Sequence, residues 1–266
     1  MMAELRATIL GCGSSGGVPR LGGDWGNCDP ANPRNIRRRC SLLLERVSDT
    51  GRTQVLIDTS PDMRAQLLDA GVGRLDAVVF THSHADHVHG IDDLRQIVFN
   101  TRERLPVWAD GPTQEALYSR FGYAFIQPAG SPYPPILDMH TIDGAITIKG
   151  AGGPLTLHPL RLNHGSIDAL GFRVGGLAYT PDVVMIYPES WQMLQGLDLW
   201  IVDALRRKPH PTHAHLDMTL DWIAQAKPAR AVLTNMHNDM DYATITAETP
   251  EHVTPAHDGM VLTLPL

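Results

Sequence analysis

The chain has 266 residues, of which 43% are hydrophobic and 19% charged, which is ordinary for a globular protein with a sizeable core. The net charge of −7 argues against a dedicated nucleic-acid-binding protein, because such proteins usually present a basic face. Three cysteines without a Cys-x-x-Cys pair, no signal-peptide pattern and no apolar run of about 18 residues predict a reduced, soluble, cytoplasmic protein without a membrane segment.

Short apolar runs along the chain predict β-strands. They lie at residues 5–10, 41–45, 54–57, 77–80, 155–162, 171–174, 199–202, 231–233 and 260–264. Helices are predicted at 92–100, 113–121, 188–194 and 216–226, and another is expected to begin with Ser60 as N-cap and Pro61 as first helical residue and to end at Gly71. Because strands occur in clusters as well as in alternation with helices, a layered α/β arrangement of mixed sheets is expected.

Two features of the N-terminal region invite a ligand-binding interpretation. The segment Gly11–Gly16 matches G-x-G-x-x-G after a strand, but Val18 and Pro19 follow instead of a helix, so we reject a dinucleotide site and expect a tight glycine turn. The alternative is that the backbone N–H groups of this turn face an anionic ligand. An arginine run comprises Arg34, Arg37, Arg38 and Arg39. We interpret it as a solvated loop, and the alternative is a patch that attracts an anionic substrate.

The segment 81–87 carries the strongest chemical signal. His82, His84, Asp86 and His87 follow a predicted buried strand, and an extended backbone would point His82 and His84 to the same side. Four such side chains within six residues are costly unless a cation binds them. Imidazole and carboxylate ligands suit zinc, with manganese or iron as alternatives.

Further ligand-type residues follow apolar runs downstream. His164, Asp182 and His237 each come just after a predicted strand, where sites built on sheets lie. One metal needs about four ligands, and two metals share a carboxylate in many hydrolases.

Taken together, these motifs resemble the metallo-β-lactamase-fold hydrolases, from Gly11 to His237. The resemblance implies a single domain over residues 1–266, an αββα sandwich of two mixed sheets flanked by helices, and two divalent metal ions, Zn or Mn. One metal would take His82, His84 and His164, and the other would take Asp86, His87 and His237. Asp182 would bridge the two metals.

Within that family the chain resembles the phosphodiesterase branch, which includes the phosphoribosyl cyclic phosphodiesterases and the tRNA 3′-processing endonucleases. The opening glycine–serine loop, the strand that ends at Asp203 and the loop around His213 carry this finer match. It implies that a hydroxide supplied by the metals attacks phosphorus while His213, oriented by Asp203, protonates the leaving group. His215 is the rival general acid, although in the family that position often caps a helix.

Asp58 resembles the family's buried acid beneath the metal loop, where it would accept an imidazole N–H; the alternative is a turn or capping carboxylate. Cys28 and Cys40 stand alone, so no structural zinc site is predicted. No basic arm resembling that of the tRNA endonucleases is present. A small anionic phosphoester, such as a cyclic phosphate or a nucleotide, is therefore the expected substrate, and no large nucleic acid or membrane partner is expected.

Two other functions are compatible with the same ligands. One is a hydrolase of carboxylic or thioester bonds, of the lactonase, glyoxalase II or β-lactamase type, which does not need the Asp203–His213 pair. The other is a binding protein similar to a pyrroloquinoline-quinone biosynthesis protein, in whose branch parts of the metal set tend to be lost. Because all seven ligand positions are filled here, we favour an enzyme.

Overall fold

The computed structural model describes residues 3–266, which form two compact units. The first unit comprises residues 3–10, Ser41–Thr156 and Val261–Leu266, and the second comprises Gly11–Cys40 and Leu157–Met260. The assignment of residues 1–266 to a single domain stays a prediction. None of the helices in residues 3–266 has the length and apolar character needed to cross a bilayer.

The sheet of the first unit has seven strands. They are β1 (Glu4–Gly11), β2 (Ser41–Ser48), β3 (Gly51–Ile57), β4 (Ala77–Val79), β5 (Leu105–Ala109), β6 (Leu137–Thr141) and β15 (Met260–Pro265), in the spatial order β15-β1-β2-β3-β4-β5-β6. Strands β3 to β6 run parallel, whereas β2 and β3 are antiparallel, so the sheet is mixed. Because parallel strands share one carboxyl-terminal edge, the residues that follow β3 and β4 lie close together.

Four helices belong to this unit: α1 (Met63–Asp69), α2 (Ala85–Val88), α3 (Leu94–Thr101) and α4 (Gly111–Phe125). A short 3-10 turn, Ile91–Asp93, precedes α3. One continuous apolar cluster joins Val78 and Val107 of the sheet to Met63, Leu94 and Leu117 of the helices. This core holds the end of β4, where the first histidines follow, in a fixed position.

The second sheet has eight strands, of which seven follow the spatial order β11-β8-β9-β10-β12-β13-β14. They are β8 (Leu155–His164), β9 (Ile167–Val174), β10 (Leu177–Thr180), β11 (Met185–Ile186), β12 (Leu199–Asp203), β13 (Arg230–Thr234) and β14 (Val253–Pro255). A further short strand, β7 (Ile146–Ile148), precedes β8 along the chain. Strands β10, β12, β13 and β14 are parallel to one another, and β9 is antiparallel to both β8 and β10. The carboxyl-terminal ends of β8, β10, β12 and β13 therefore share one edge of this sheet.

The helices of this unit are α5 (Pro188–Gln192), α6 (Leu216–Ala226) and α7 (Tyr242–Glu248), with a 3-10 turn at Pro33–Asn35. Helix α6 buries Leu216, Thr219, Ile223 and Ala226, which recur at helical spacing along one face. Trp200 of β12 is fully buried and donates its indole N–H to Thr180 Oγ1 at 2.9 Å. The predicted fold class, two mixed sheets flanked by helices, is confirmed.

One predicted helix start was wrong. Helix α1 begins at Met63 with Asp62 as N-cap, and not at Pro61 after Ser60. Ser60 is buried and uses its hydroxyl group within the turn that precedes the helix, where Oγ accepts the Asp62 N–H at 3.1 Å and donates to Gln66 Oε1 at 2.8 Å. The predicted end was correct, since Gly71 adopts φ +66° just after the helix.

Candidate active site

The first histidine cluster, defined as Asp58, His82, His84, Asp86 and His87, follows the ends of β3 and β4. Asp58 comes directly after β3, and His82 follows β4 by three residues. His84 is the extended N-cap of α2, so Asp86 and His87 lie in the first turn of that helix. The backbone is held in place because Thr59 N donates to the His87 carbonyl at 2.8 Å and Gly90 N donates to the Thr59 carbonyl at 2.9 Å.

Asp58 is the organising carboxylate of this cluster. It is fully buried and accepts hydrogen bonds from His87 Nδ1 at 2.7 Å, from Thr81 N at 2.8 Å and from the Thr81 hydroxyl at 2.7 Å. Burial raises the pKa of Asp58, and the hydrogen bonds from His87 and Thr81 partly offset that rise. Because Asp58 engages Nδ1, the His87 nitrogen suited to a metal is Nε2.

The other two imidazoles are ordered by the same network. Since the Thr81 hydroxyl donates to Asp58, its oxygen accepts from His82 Nδ1, which lies 2.9 Å away. His82 Nε2 lies 3.0 Å from His84 Nδ1, and Asp86 Oδ2 lies 3.6 Å from His87 Nε2. Four donor side chains thus gather within one short segment, as the sequence predicts.

The second histidine cluster, defined as His164, Asp182, Asp203, His213 and His237, follows the carboxyl ends of β8, β10, β12 and β13. His164 donates from Nδ1 to the Thr212 carbonyl at 2.7 Å. This contact depends on Gly165, which adopts φ +82° and at which a Cβ would lie 2.4 Å from Thr212 Cγ2. Donor atoms of His164, Asp182 and His213 all lie within 4.8 Å of one another.

Asp203 and His213 form a hydrogen-bonded pair, in which Asp203 is buried and His213 is partly exposed. His213 donates from Nδ1 to Asp203 Oδ2 at 2.9 Å, and the same oxygen accepts the Val183 N–H at 3.2 Å. Asp203 is completely buried, and burial raises its pKa to about 7 even though His213 acts to lower it. His215 has a different environment, since it is the N-cap of α6 and makes no side-chain capping bond.

His237 contacts a residue that the sequence did not single out. The Arg20 guanidinium donates to His237 Nε2, and His237 Nδ1 lies 3.6 Å from Asp239 Oδ1. Burial acts to raise the pKa of Asp239, but the neighbouring His237 and the hydrogen bond from Arg207 N lower it overall. Asp239 is therefore a carboxylate at neutral pH.

The donor chemistry of both clusters fits divalent cations. In the first cluster Asp58 fixes the ring of His87, and in the second Thr212 and Asp203 fix the rings of His164 and His213. Carboxylates or carbonyls that hold one ring nitrogen typically orient the other toward a metal. Buried imidazole and carboxylate ligands of this kind suit zinc and manganese alike.

Three residues with roles in these clusters escaped the sequence analysis. Thr81 orders His82, Thr212 orders His164 and Arg20 contacts His237. Thr212 acts through its backbone carbonyl, and every residue has such a group, so the amino-acid sequence gives no indication of this contact. Thr81 could be noticed only because it precedes His82, and Arg20 only because it follows the glycine-rich segment near the N-terminus.

Two interpretations of the N-terminal region had different outcomes. The solvated-loop interpretation of the arginine run was wrong for Arg37, which is buried and donates to the Met240 carbonyl at 2.6 Å and the His237 carbonyl at 3.2 Å. Arg38 N and Nε donate to Asp258. The rejection of a dinucleotide site agrees with the structure, since Gly13 pairs in short β-bridges with Arg39 and Met236 and no helix follows.

His210 lies beside the acid pair. Its ring centroid is 5.1 Å from that of His213, and its Nδ1 accepts from Thr212 N at 3.3 Å. Burial, followed by the neighbouring His213, lowers the pKa of His210 to about 4. His210 is therefore neutral at physiological pH.

Comparison with known proteins defines the class. Residues 53–236 match the family model of the β-lactamase superfamily domain. The chain therefore belongs to the β-lactamase superfamily, with the metallo-β-lactamase fold, and is a hydrolase of that family. The crystal structure of a diphosphatase of the PhnP family is similar along the full length, with a TM-score of 0.89, 34% identity, and coverage of 100% of this chain and 99% of the other.

Two further relatives were found. An octanoyltransferase of Porphyromonas gingivalis is 34% identical over 260 residues, which cover 96% of this chain and 51% of the relative. The chain thus spans about half the length of that protein. Zn²⁺-bound PqqB from Methylobacterium extorquens shares the fold with a TM-score of 0.72 and 19% identity, with coverage of 97% of this chain and 100% of the other.

Proposed function

We propose that the protein is a two-metal phosphodiesterase that hydrolyses small anionic phosphoesters. The observation that carries this proposal is the hydrogen bond between the partly buried His213 and the buried Asp203, with 2.9 Å between Nδ1 and Oδ2. Hydrolysis of a phosphodiester requires a proton for the departing alkoxide, and a histidine held by a carboxylate is suited to supply it. Carboxylic and thioester hydrolases of the same fold do not need this pair.

The metal ligands are proposed as the family resemblance assigns them. His82, His84 and His164 would hold one ion, and Asp86, His87 and His237 the other, with Asp182 shared between them. Bound zinc or manganese would neutralise charge on the phosphate oxygens and activate water at neutral pH. Asp58 would position His87 through the 2.7 Å hydrogen bond to Nδ1.

The acid pair works through the second nitrogen of His213. Because Nδ1–H is held by Asp203, Nε2 is the nitrogen that gives its proton to the leaving group. The negative charge of Asp203 stabilises the protonated imidazole, and burial prevents the carboxylate from turning toward water. Asp203 is therefore a positioning residue, and His213 is the proposed general acid.

The substrate is proposed to be small. The similarity to a diphosphatase along the full length supports a phosphorus ester or anhydride. A nucleotide would fit this class. The net charge of −7 makes large nucleic acids unfavourable partners. The octanoyltransferase name does not assign acyl transfer to this chain, because the chain matches only about half of that relative.

The test uses the leaving group. With the zinc- or manganese-loaded enzyme, His213→Ala should lower kcat about 100-fold on a phosphodiester with an alkyl alcohol as leaving group. On bis(4-nitrophenyl) phosphate the loss should be only a few-fold, since 4-nitrophenolate departs without a proton. The measurement is kcat for both substrates with wild type and variant at equal metal content.

His215→Ala is the matched control, because His215 lies in the same loop without contacting Asp203; both substrates should be turned over at near wild-type rates. If His215→Ala shows the leaving-group effect instead, the acid is misassigned. If the wild type cleaves thioesters or lactones but no phosphodiester, the proposed function is wrong. Preference for tRNA over small diesters would overturn the proposed substrate size.

A further inference from the structure

Arg20 is a cation held rigidly beside His237. Its backbone closes a tight turn, in which Arg20 N donates to the Asp24 carbonyl at 2.9 Å and the Arg20 carbonyl accepts from Gly23 N at 3.0 Å. The side chain packs across Gly16, where a Cβ would lie 3.4 Å from Arg20 Nε. The guanidinium reaches His237 Nε2 from this turn.

Within residues 3–266, Arg20 has no carboxylate partner. The nearby Asp24 side chain is engaged elsewhere, since it accepts from Gly26 N at 2.9 Å and from Asn238 Nδ2 at 3.0 Å. A guanidinium remains protonated at all physiological pH values and is best matched by a carboxylate or a phosphate. An imidazole nitrogen is a weak substitute for such an anion.

Other arginines of the same region have defined structural partners. Arg37 is buried against backbone carbonyls, Arg38 pairs with Asp258, and Arg34 lies over the Tyr242 ring at 4.9 Å. Arg20 differs because its side-chain hydrogen bond within residues 3–266 is made to a proposed metal ligand. Its position therefore suits an anion that belongs to the substrate.

We propose that Arg20 is a specificity-determining residue that binds a second phosphate of the substrate, next to the phosphate that is cleaved. This inference rests on the proposed function. It narrows the substrate class to compounds in which a further phosphate is joined to the scissile one, as in a nucleoside diphosphate. If His237 serves as a metal ligand, the Arg20 guanidinium would no longer donate to its ring and would be available to bind the anion.

The test separates binding from turnover. Methylenediphosphonate carries two phosphorus groups and cannot be hydrolysed, and methylphosphonate carries one. Arg20→Ala should weaken binding of methylenediphosphonate by about tenfold or more, as expected for the loss of a charge-assisted contact, and should change methylphosphonate binding less than about twofold. Arg20→Lys should lie between, because lysine keeps the charge without the paired donors. Binding is measured by calorimetry with manganese-loaded protein.

Arg34→Ala is the matched control, as it removes an exposed arginine of the same unit and should leave both affinities unchanged. Elemental analysis must show equal metal content in Arg20→Ala and wild type. In turnover, kcat/KM for ADP should fall about tenfold in Arg20→Ala, while kcat/KM for bis(4-nitrophenyl) phosphate stays near the wild-type value.

Equal losses on both phosphonates, or no loss on either, would overturn the role of Arg20. A wild type that turns over no phosphoester would refute the proposed function instead, and the phosphonate comparison would still decide whether Arg20 selects a second phosphate.

Discussion

Asp58 combines two roles that the sequence left as alternatives. It terminates β3 as a turn residue with φ +63°, a conformation that Asp and Asn tolerate better than most side chains. In the same position it accepts the His87 N–H and both polar groups of Thr81. The turn therefore aims the carboxylate at the residues that follow β4.

The structure predicts that Asp58→Asn will damage the first histidine cluster. Thr81 N donates to one oxygen of Asp58 and His87 Nδ1 to the other, so an amide, with a single acceptor oxygen, would turn its NH₂ group toward one of these buried N–H groups. Metal affinity should fall by about 10- to 100-fold. The measurement is metal retention against a competing chelator.

Asp93→Asn is the matched control for this change, because Asp93 is exposed and makes no side-chain capping bond at the start of α3. Its metal retention should equal that of the wild type. Wild-type retention in Asp58→Asn would show that Asp58 does not support the ligands.

The identity of the proposed ligand residues could be predicted from residue type alone. Histidines and aspartates in the segment 82–87 are recognisable because their ligand chemistry is unusual so close to a buried strand. Arg37 was misinterpreted because its partners are backbone carbonyls of Met240 and His237, about 200 positions away in the sequence. No local pattern contains such a contact.

At the scale of elements, α7 depends on its N-cap. The Asp241 carboxylate accepts from Thr244 N at 2.9 Å, and it also accepts from Asp29 N at 3.0 Å and Asn35 Nδ2 at 2.7 Å. Burial acts to raise the pKa of Asp241, but these hydrogen bonds outweigh it and lower the pKa to about 2. One carboxylate thus ties the start of the helix to the segment 29–35.

Asp241→Asn should lower the free energy of unfolding by about 1 kcal/mol or more at pH 7, because the amide would turn its NH₂ group toward the N–H donor of either Asp29 or Thr244. The folded pKa lies below the ordinary value of 3.8, so the wild type gains this stability above about pH 4. The gain disappears as pH falls toward 2. Urea unfolding of both proteins at pH 7 and at decreasing pH measures the difference, and a gap that is independent of pH would contradict the assignment.

Helix α7 also shows why some elements were not predicted. Its sequence, Tyr242–Glu248, contains two threonines and an isoleucine, which are modest helix formers, so only tertiary contacts reveal the helix. The edge strands β6 and β14 were missed for a related reason, because β6 is largely polar and β14 ends in Pro255. Edge positions tolerate such residues. The central strands β3, β4, β12 and β13 were found because burial on both faces requires continuous apolar runs.

At the scale of the whole molecule, the order of the motifs was more informative than any one of them. His82, His164, Asp182 and His237 each follow a strand, and that sequence of elements extends across both units. A chain in which a ligand-type histidine or aspartate follows several strands in turn has a pattern specific enough to identify the fold from sequence. The substrate cannot be identified in the same way, because specificity is proposed to depend on groups such as Arg20, whose neighbour His237 lies 217 positions away in the sequence.

Metal binding should therefore stabilise the entire chain. A cation that binds the folded state alone stabilises it by about 2.7 kcal/mol at 100 times its Kd, which corresponds to roughly 5–10 °C in Tm for a chain of this size. Zinc or manganese should raise Tm by that amount, and a chelator should reverse the rise.

Elemental analysis should find two ions per chain in the wild type and about one in either His164→Ala or His237→Ala, because each histidine is proposed to serve a different ion. His252→Ala, which removes an exposed histidine, should retain both ions. If His164→Ala and His237→Ala keep the wild-type metal content, or if no metal shifts the Tm of the wild type, the two-metal proposal is wrong.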